Sequence, residues 1–530
     1  MQNVTQRQIT RSAAIISIGN ILSRMMGLVR GMVISSQFGA ESAMLAYTAA
    51  KIVPLRLYEL VVGGMITSAL VPTLSEYTAP QRRDELWRIA SLLFTLATLA
   101  LGGAILLFEL GAPLVTRLLA SGFDPALQAE TTRLLRIAVI GILFLGLSGL
   151  TTALCQALQR FTLPAFTTAV FNTSIVLAAL ALGPLWGVRG LTIGLVIGAL
   201  LQFVLQIPAL RDLRFRPHLD MKHPVLRRIL RLYLPIALGM IPNELGIMLD
   251  RNLASRVGNS LAIMEYATQL IQFPLGLVSI AISTAILPTL SRQAAQNRAA
   301  PNGNAEFRAT LAGGLRLVLV LTLPAAVGLL VLANPVVALF FQHGAFTAQN
   351  TVQTAQALRL YLIGMIFAAI DQPLVFAFYA QKDTVTPALV GVLGVALYTL
   401  VALPTYRVWG MTGLLLGNGA QLAGHAATML LLFRRQIGGL SGFDLGKTLF
   451  KSTLAAAAMG GLVWGVYWIA ENAIPLAGKP GWALSVFTGG AAGIGAYLGL
   501  GTWLRIPELD LLRQLAKKIW RAKIARRWFK

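Results

Sequence analysis

The 530-residue chain is 56% hydrophobic and only 12% charged, whereas soluble domains carry roughly 25% charged residues. This composition excludes an ordinary soluble protein and predicts an all-α polytopic membrane protein. A single cysteine excludes an internal disulfide, and four scattered histidines lack metal-ligand spacing, so no metal site and no cofactor are expected.

Apolar runs of about 20 residues recur along the chain and predict about fourteen transmembrane helices. An even number places both termini on the same side of the membrane. The predicted centres lie near Gly27, Val61, Thr98, Leu145, Ser174, Gly198, Gly239, Val278, Thr322, Met365, Leu393, Leu422, Gly460 and Ala492.

The net charge of +24 raises nucleic acid as a partner, but the charges follow the predicted topology. Thirty of the 44 lysines and arginines lie in the two termini and in alternate loops, against seven in the opposite loops. The positive-inside rule therefore predicts cytoplasmic termini and no nucleic-acid partner. Residues 507–530 place apolar side chains at helical spacing among basic ones, which predicts an amphipathic helix on the cytoplasmic leaflet. Its role is either a topology anchor or a partner-binding segment.

The first predicted helix contains Ser23-Arg-Met-Met-Gly-Leu-Val-Arg30. A cation at the bilayer centre costs about 3 kcal/mol, so Arg24 and Arg30 are expected to face a protein-lined, wet cavity. The alternative is that one of them extends to the membrane interface.

Three blocks of sequence recur in the same order, which indicates an internal duplication. Residues 186–194 and 159–165 return after 223 residues, and residues 67–75 return after 216. Because that shift spans six helices, the copies are parallel repeats, typical of transporter halves that rock around a central site. The prediction is an N-lobe over 1–218, a C-lobe over 219–440, two further helices over 441–506 and the basic tail.

Further charges lie within the second and seventh predicted helices. Lys51 and Arg56 lie on the second, and Asp250 and Arg251 on the seventh. A cavity dominated by cations predicts an anionic substrate, and arginine forks favour a phosphate or diphosphate. Asp250 is the intramembrane acid that this interpretation selects as a coupling-cation site, with an ion pair to Arg251 as the alternative. No nucleotide-binding motif occurs, so an ion gradient, the membrane potential or substrate flow would drive transport.

The chain resembles the MurJ (MviN) lipid II flippases of the multidrug/oligosaccharidyl-lipid/polysaccharide exporter superfamily. The blocks that carry the resemblance are ordered across the first 435 residues: Ser23 to Arg30, Ala69 to Tyr77, Gln159 to Ala165, Phe341 to Thr347 and Gln381 to Pro387. It implies two six-helix lobes plus two C-terminal helices, with alternating-access flipping of an undecaprenyl-diphosphate-linked precursor. It also implies that Arg24 and Arg30 face the cavity, and Lys51 matches a family lysine.

The chain departs from the family pattern at three places. The segment Ser42 to Tyr47 lacks the family's acid, only Arg56 replaces a pair of arginines, and Gln269 stands where the family has a cavity arginine. Helix eleven also lacks the acid and asparagine of sodium-binding members. These departures leave the substrate and the coupling ion open.

The leading interpretation is a lipid II flippase of the bacterial cytoplasmic membrane that binds a polyprenyl-diphosphate-linked saccharide among membrane lipids. Cell-wall synthesis proteins are candidate partners. An exporter of another lipid-linked glycan is the nearest alternative. A membrane glycosyltransferase or ligase would need a large extramembrane loop with catalytic acids, and a non-transporting scaffold would not need Arg24 and Arg30 in its core.

Overall fold

The computed structural model describes residues 2–63, 65–212, 214–297, 304–473, 478–510 and 513–514. These residues form helices joined by short connections, with no strand among them. The α-helices are α1 (Gln2–Phe38), α2 (Ser42–Tyr58), α3 (Val71–Ser75), α4 (Arg83–Leu119), α5 (Pro125–Val139), α6 (Gly141–Ala157), α7 (Thr167–Trp186), α8 (Val188–Val204), α9 (Pro224–Ala254), α10 (Ser260–Pro274), α11 (Ala281–Asn297), α12 (Asn304–Val331), α13 (Ala333–Phe341), α14 (Ala348–Ala380), α15 (Val385–Trp409), α16 (Met411–Ile437), α17 (Leu445–Ala473) and α18 (Lys479–Trp503). Three π-helical segments, Glu59–Gly63, Ile66–Leu70 and Leu275–Ile280, continue α2 or α10.

Within the described ranges, eleven helical stretches are long and apolar enough to cross a membrane. Three more long helical stretches, α1, α2 to α3, and α16, carry more polar residues. Together they account for fourteen stretches, and each predicted centre falls inside one of them. The predicted all-α polytopic fold is therefore confirmed. The predicted tail helix lies mostly outside the described residues.

The chain divides into two compact units. The first comprises Met1–Gln269 and Phe341–Asn350, and the second comprises Leu270–Phe340 and Thr351–Lys530. The core of the first lies between α4, α6 and the start of α9, around Leu86, Leu154 and Ile229, and that of the second includes Phe307, Phe378 and Phe433. The lobe boundaries derived from the sequence repeat remain a prediction.

The sequence repeat is reproduced in local backbone structure. Gly187, between α7 and α8, has φ 58° and ψ −140°, and Gly410, at the equivalent place between α15 and α16, has φ 56° and ψ −129°. Gln159 and Lys382, also 223 residues apart, both have positive φ, at 59° and 67°. Under the 216-residue shift Glu59 corresponds to Leu275 in the sequence, and a π-helical segment begins at each of these two residues. The duplicated blocks therefore encode duplicated turns and helix irregularities.

Large apolar side chains lie exposed along the middle of α4. Leu106, Leu107 and Leu110 are 66, 72 and 83% exposed. A row of exposed leucines on a helix that is long enough to span a bilayer is typical of a lipid-facing surface.

Candidate anion site in the first unit

The first unit brings four predicted site residues together around an acid that the sequence interpretation did not select. We call Arg30, Lys51, Asp250, Arg251 and Glu265 the charged cluster. Its members come from α1, α2, α9 and α10. Lys51 is 9% exposed, and the other members are only partly exposed.

Glu265 connects the cations of the cluster. Its Oε1 accepts a hydrogen bond from Lys51 Nζ at 2.7 Å, and its Oε2 lies 3.8 Å from Arg251 Nη2. Arg251 Nε lies 3.9 Å from Asp250 Oδ2. The side chains of Lys51, Glu265, Arg251 and Asp250 retain 11 to 19% of their exposure, so the charges are largely shielded from solvent. This geometry matches the ion pair that the sequence left as the alternative for Asp250.

Arg30 is held by a neutral partner. Its Nη1 donates to Oδ1 of Asn172 on α7 at 2.9 Å. Asn172 is 5% exposed, and its amide nitrogen donates to the backbone carbonyl of Ser23 at 3.2 Å. Asn172 therefore ties α7 to α1 and orients the guanidinium. The charge of Arg30 also acts on Lys51 and on Glu265.

Arg24 and Arg56 lie outside the charged cluster. Arg24 is partly exposed on α1, six residues before Arg30, and it makes contacts of its own. Arg56 follows Lys51 on α2, is 44% exposed, and has its Nε 3.9 Å from Glu244 Oε2 on α9. Arg56 is thus the more accessible of the two cations on α2.

The Phe341 to Thr347 block fixes the end of α1 against α10. The backbone N–H of Ala345 donates to the carbonyl of Ser36 at 2.8 Å, and a Cβ on Gly344 would lie 2.1 Å from that same oxygen. Tyr266, next to Glu265, donates its hydroxyl to the carbonyl of Gly39 at 2.7 Å. Tyr266 also packs edge-on to Phe346, with ring centroids 5.2 Å apart. These contacts fix α10, and therefore Glu265, relative to α1.

Gln269, which the resemblance places where the family has an arginine, lies on α10 close to α1. A Cβ on Gly31 would lie 2.1 Å from Oε1 of Gln269, so Gly31 is what allows this side chain to approach α1. That oxygen is buried and accepts no hydrogen bond among the described residues. The amide therefore adds a polar atom, but no charge, one turn beyond Glu265.

The charged cluster can bind a multivalent anion if Lys51 and Arg251 exchange Glu265 for that anion. The charged cluster contains three cations and two carboxylates, so its charge is nearly balanced. A diphosphate offers charge-assisted bonds of the same kind as those of Glu265. The carboxylates thus keep Lys51 and Arg251 ordered and largely neutralised.

Sequence reasoning missed Glu265 and Asn172. Glu265 is an acid inside an apolar helix, a feature that by itself marks a functional candidate. Asn172 carries no comparable signal, because polar amides are ordinary in membrane helices. Asp250 was also not the only intramembrane acid available, since Glu265 and Asp371 both lie within helices.

Comparisons with known proteins agree with the fold. The family model described as "Lipid II flippase MurJ" matches residues 34–474. A probable lipid II flippase MurJ of Haemophilus influenzae is 29% identical, over 85% of this chain and 91% of its own length. A probable lipid II flippase MurJ of Vibrio cholerae is also 29% identical, over 95% of this chain and 98% of its own.

Solved structures are similar in fold. A lipid II flippase MurJ in an inward closed conformation superposes with a TM-score of 0.78 at 23% identity, covering 94% of this chain and 99% of that one. An inward-facing multidrug resistance transporter of the MATE family gives a TM-score of 0.66 at 14% identity, over 82% of this chain and 99% of its own.

Proposed function

This chain belongs to the lipid II flippase MurJ family, and we propose that it moves lipid II, the undecaprenyl-diphosphate-linked peptidoglycan precursor, from the inner to the outer leaflet of the bacterial cytoplasmic membrane. The observation that carries the proposal is the charged cluster, in which three cations lie within helices of a membrane-spanning chain. Relatives that match along nearly their whole length support the same substrate.

The diphosphate is the part of the substrate that the bilayer opposes most strongly. Moving a charged group into hydrocarbon is costly unless it is paired. In our proposal Arg24 and Arg30 bind the diphosphate through their guanidinium forks. Arg251 and Lys51 exchange Glu265 for phosphate oxygens, and Arg56 supplies a further donor from α2.

Alternating access moves the bound headgroup between the two leaflets. The proposal assigns residues 1–218 and 219–440 to two lobes that rock around the headgroup, with residues 441–506 as an appendix. An ion gradient or the membrane potential would reset the cycle. In this scheme the protein performs transport and not a chemical reaction.

We also propose cytoplasmic termini, a cytoplasmic loop at 211–231 and an external loop at 122–130, from the distribution of basic residues. Single cysteines introduced into a Cys155→Ala background test this arrangement. Cys155 is buried, and its removal leaves each introduced cysteine as the single thiol that can be labelled. External labelling at position 220 would contradict the topology.

Complementation tests the function. The wild-type gene should restore growth and wall synthesis to bacteria that are depleted of their own lipid II flippase. Arg30→Ala should insert at wild-type levels without restoring growth, while Arg505→Ala, near the C-terminus, should behave as wild type. Failure of the wild-type protein to restore growth would count against lipid II and favour another lipid-linked glycan.

A further inference from the structure

The second unit contains a second intramembrane polar site that the diphosphate mechanism does not use. Asp371 lies in α14 and His425 lies in the middle of α16. Nδ1 of His425 is 2.8 Å from Oδ1 of Asp371, and the two side chains are only 17 and 14% exposed. An acid and an imidazole in contact inside membrane helices are costly to keep there, and such pairs mark ion or proton pathways.

The surroundings of the pair suit proton binding. The backbone carbonyl of Pro387 on α15 also acts on the His425 ring, so the ring has two acceptors near it. Gly394 of α15 lies against the same ring, because its Cβ would be 3.8 Å from His425 Cδ2. Tyr379, on the same helix, is a further titratable group near Asp371. Asp371 is the charged side chain that acts on the ring among the described residues.

The pair lies close to Pro373, where the continuous helix α14 lacks one backbone hydrogen bond. Pro373 has no N–H to donate to the carbonyl of Ala369, four residues earlier. The hydroxyl of Ser279, in the π-helical segment Leu275–Ile280, donates to that carbonyl instead, at 2.6 Å. A proline, a π-helical segment of the neighbouring helix and a titratable pair thus lie together at this point of α14. π-Helical segments are frequent at functional sites.

α14 and α16 also approach closely one to two turns before the pair. A Cβ on Gly364 would lie 3.5 Å from the Cα of Gly419 and 3.1 Å from a methyl group of Leu422. A change in charge at Asp371 and His425 therefore acts on two helices that are in direct contact.

We propose that Asp371 and His425 form the proton-binding site that couples this flippase to the proton gradient, an inference that rests on the proposed function. With a neutral imidazole the pair carries one negative charge. Uptake of one proton gives an imidazolium beside a carboxylate, with no net charge, and release restores the anionic pair. The form without net charge is less costly in apolar surroundings than the anionic form. Protonation thus permits rearrangements that close the site to water.

A proton fits this site better than an alkali cation does. Hard cations take several oxygen ligands. Here Nδ1 of the His425 ring already contacts a carboxylate oxygen of Asp371. The hydroxyl of Ser279 already donates its hydrogen bond to the carbonyl of Ala369.

Transport by the reconstituted full-length protein tests the inference. Proteoliposomes receive a lipid-linked diphosphate saccharide and an imposed gradient of protons or of sodium. Across one pH unit, a mechanism that couples one proton shifts the steady-state distribution of substrate by up to about tenfold. The wild type should respond to the proton gradient and not to sodium.

Asp371→Asn and His425→Gln should lose that response while still equilibrating substrate without a gradient. Asp444→Asn, which changes an exposed acid paired with Lys447, should respond as wild type. A response to sodium alone, or an unchanged proton response in both variants, would overturn the inference. Equal transport under every gradient would overturn it too and leave the flippase function intact.

A second measurement does not depend on transport. The chain has only four histidines, so ¹⁵N-labelled His425 can be assigned by comparison with His425→Gln. Its ring should change protonation state over the pH range in which the reconstituted protein responds to the proton gradient, and Asp371→Asn should shift that titration. A ring that does not titrate in this range would contradict a proton site, and so would a ring that is indifferent to Asp371, even if the wild type moved no lipid.

Discussion

The Nζ atom of Lys51 and Oε1 of Glu265 lie 2.7 Å apart, although 214 residues separate them in sequence. This contact joins α2 to α10 within the first unit and holds a family-matching lysine on an acid. An anionic substrate that uses Lys51 must therefore displace Glu265. The cation is ordered before the ligand arrives, and the exchange of partners limits how tightly the ligand is held.

Removal of the charge on Glu265 should destabilise the protein. Glu265→Gln leaves Lys51 and Arg251 without their shared carboxylate, and breaking a buried pair costs about 3–5 kcal/mol. Thermal unfolding in detergent measures the loss. Glu85→Gln, which removes the exposed partner of Arg82, is the matched control and should cost about 1 kcal/mol or less. Equal losses in the two variants would show that Glu265 is not holding buried charge.

Asn172→Ala should weaken binding of a lipid diphosphate without removing any charge. The variant loses the amide that orients Arg30, and a hydrogen bond to a charged group contributes roughly 1.5–3 kcal/mol. Binding of purified lipid II to the detergent-solubilised protein measures the effect. Asn472→Ala, on α17, should bind as wild type because its amide donates to the backbone carbonyl of Trp468 in its own helix. If Asn172→Ala also binds as wild type, Asn172 does not position the site.

Gly187→Ala and Gly410→Ala should each lower stability by about 1–3 kcal/mol, because both backbones occupy a region that is nearly exclusive to glycine. Gly102→Ala, in α4, should be neutral or stabilising, because no atom lies within 4 Å of the added methyl group. Unfolding temperatures of the three variants provide the comparison. A tolerated alanine at one of the two turns would show that the repeats do not impose the same conformation.

The ion pair between Arg160 and Asp212 should make stability depend on pH at the acidic end. Arg160 donates hydrogen bonds at 2.6 and 2.9 Å, and these hold the pKa of Asp212 below its usual range. Because the folded-state pKa is depressed, the stabilisation is complete above the unfolded pKa of about 3.9 and is lost as pH falls through the folded-state value. The carboxylate is 41% exposed, so its contribution is at most about 1 kcal/mol.

Asp212→Asn should therefore be less stable than wild type near neutral pH and indistinguishable from it in strong acid. Unfolding free energies measured across that range decide the matter. A difference that persists unchanged into strong acid would assign the loss to packing and not to the charge.

The helices and the repeat could be predicted because they depend on local patterns. Runs of apolar residues located every long helix. The Trp-Gly blocks at 186 and 409 predicted a duplication, and their glycines have nearly the same φ and ψ. Arg30, Lys51 and Arg251 could be selected because a cation in an apolar helix is conspicuous. Their partners could not, because contacts such as Lys51 with Glu265 and Arg30 with Asn172 depend on how distant helices pack. The contact between His425 and Asp371 could not be predicted either, because neither residue lies in a recognisable motif.

The most direct test of the account is translocation of labelled lipid II in proteoliposomes that contain purified wild-type protein, Arg30→Lys or Arg30→Ala. The fraction of lipid that reaches an enzyme confined to the opposite side is the readout. The account predicts rapid transfer by the wild type, partial transfer by Arg30→Lys because lysine keeps the charge but not the fork, and transfer by Arg30→Ala no faster than in protein-free vesicles. Wild-type transfer by Arg30→Ala would contradict the claim that this cluster carries the diphosphate across the membrane.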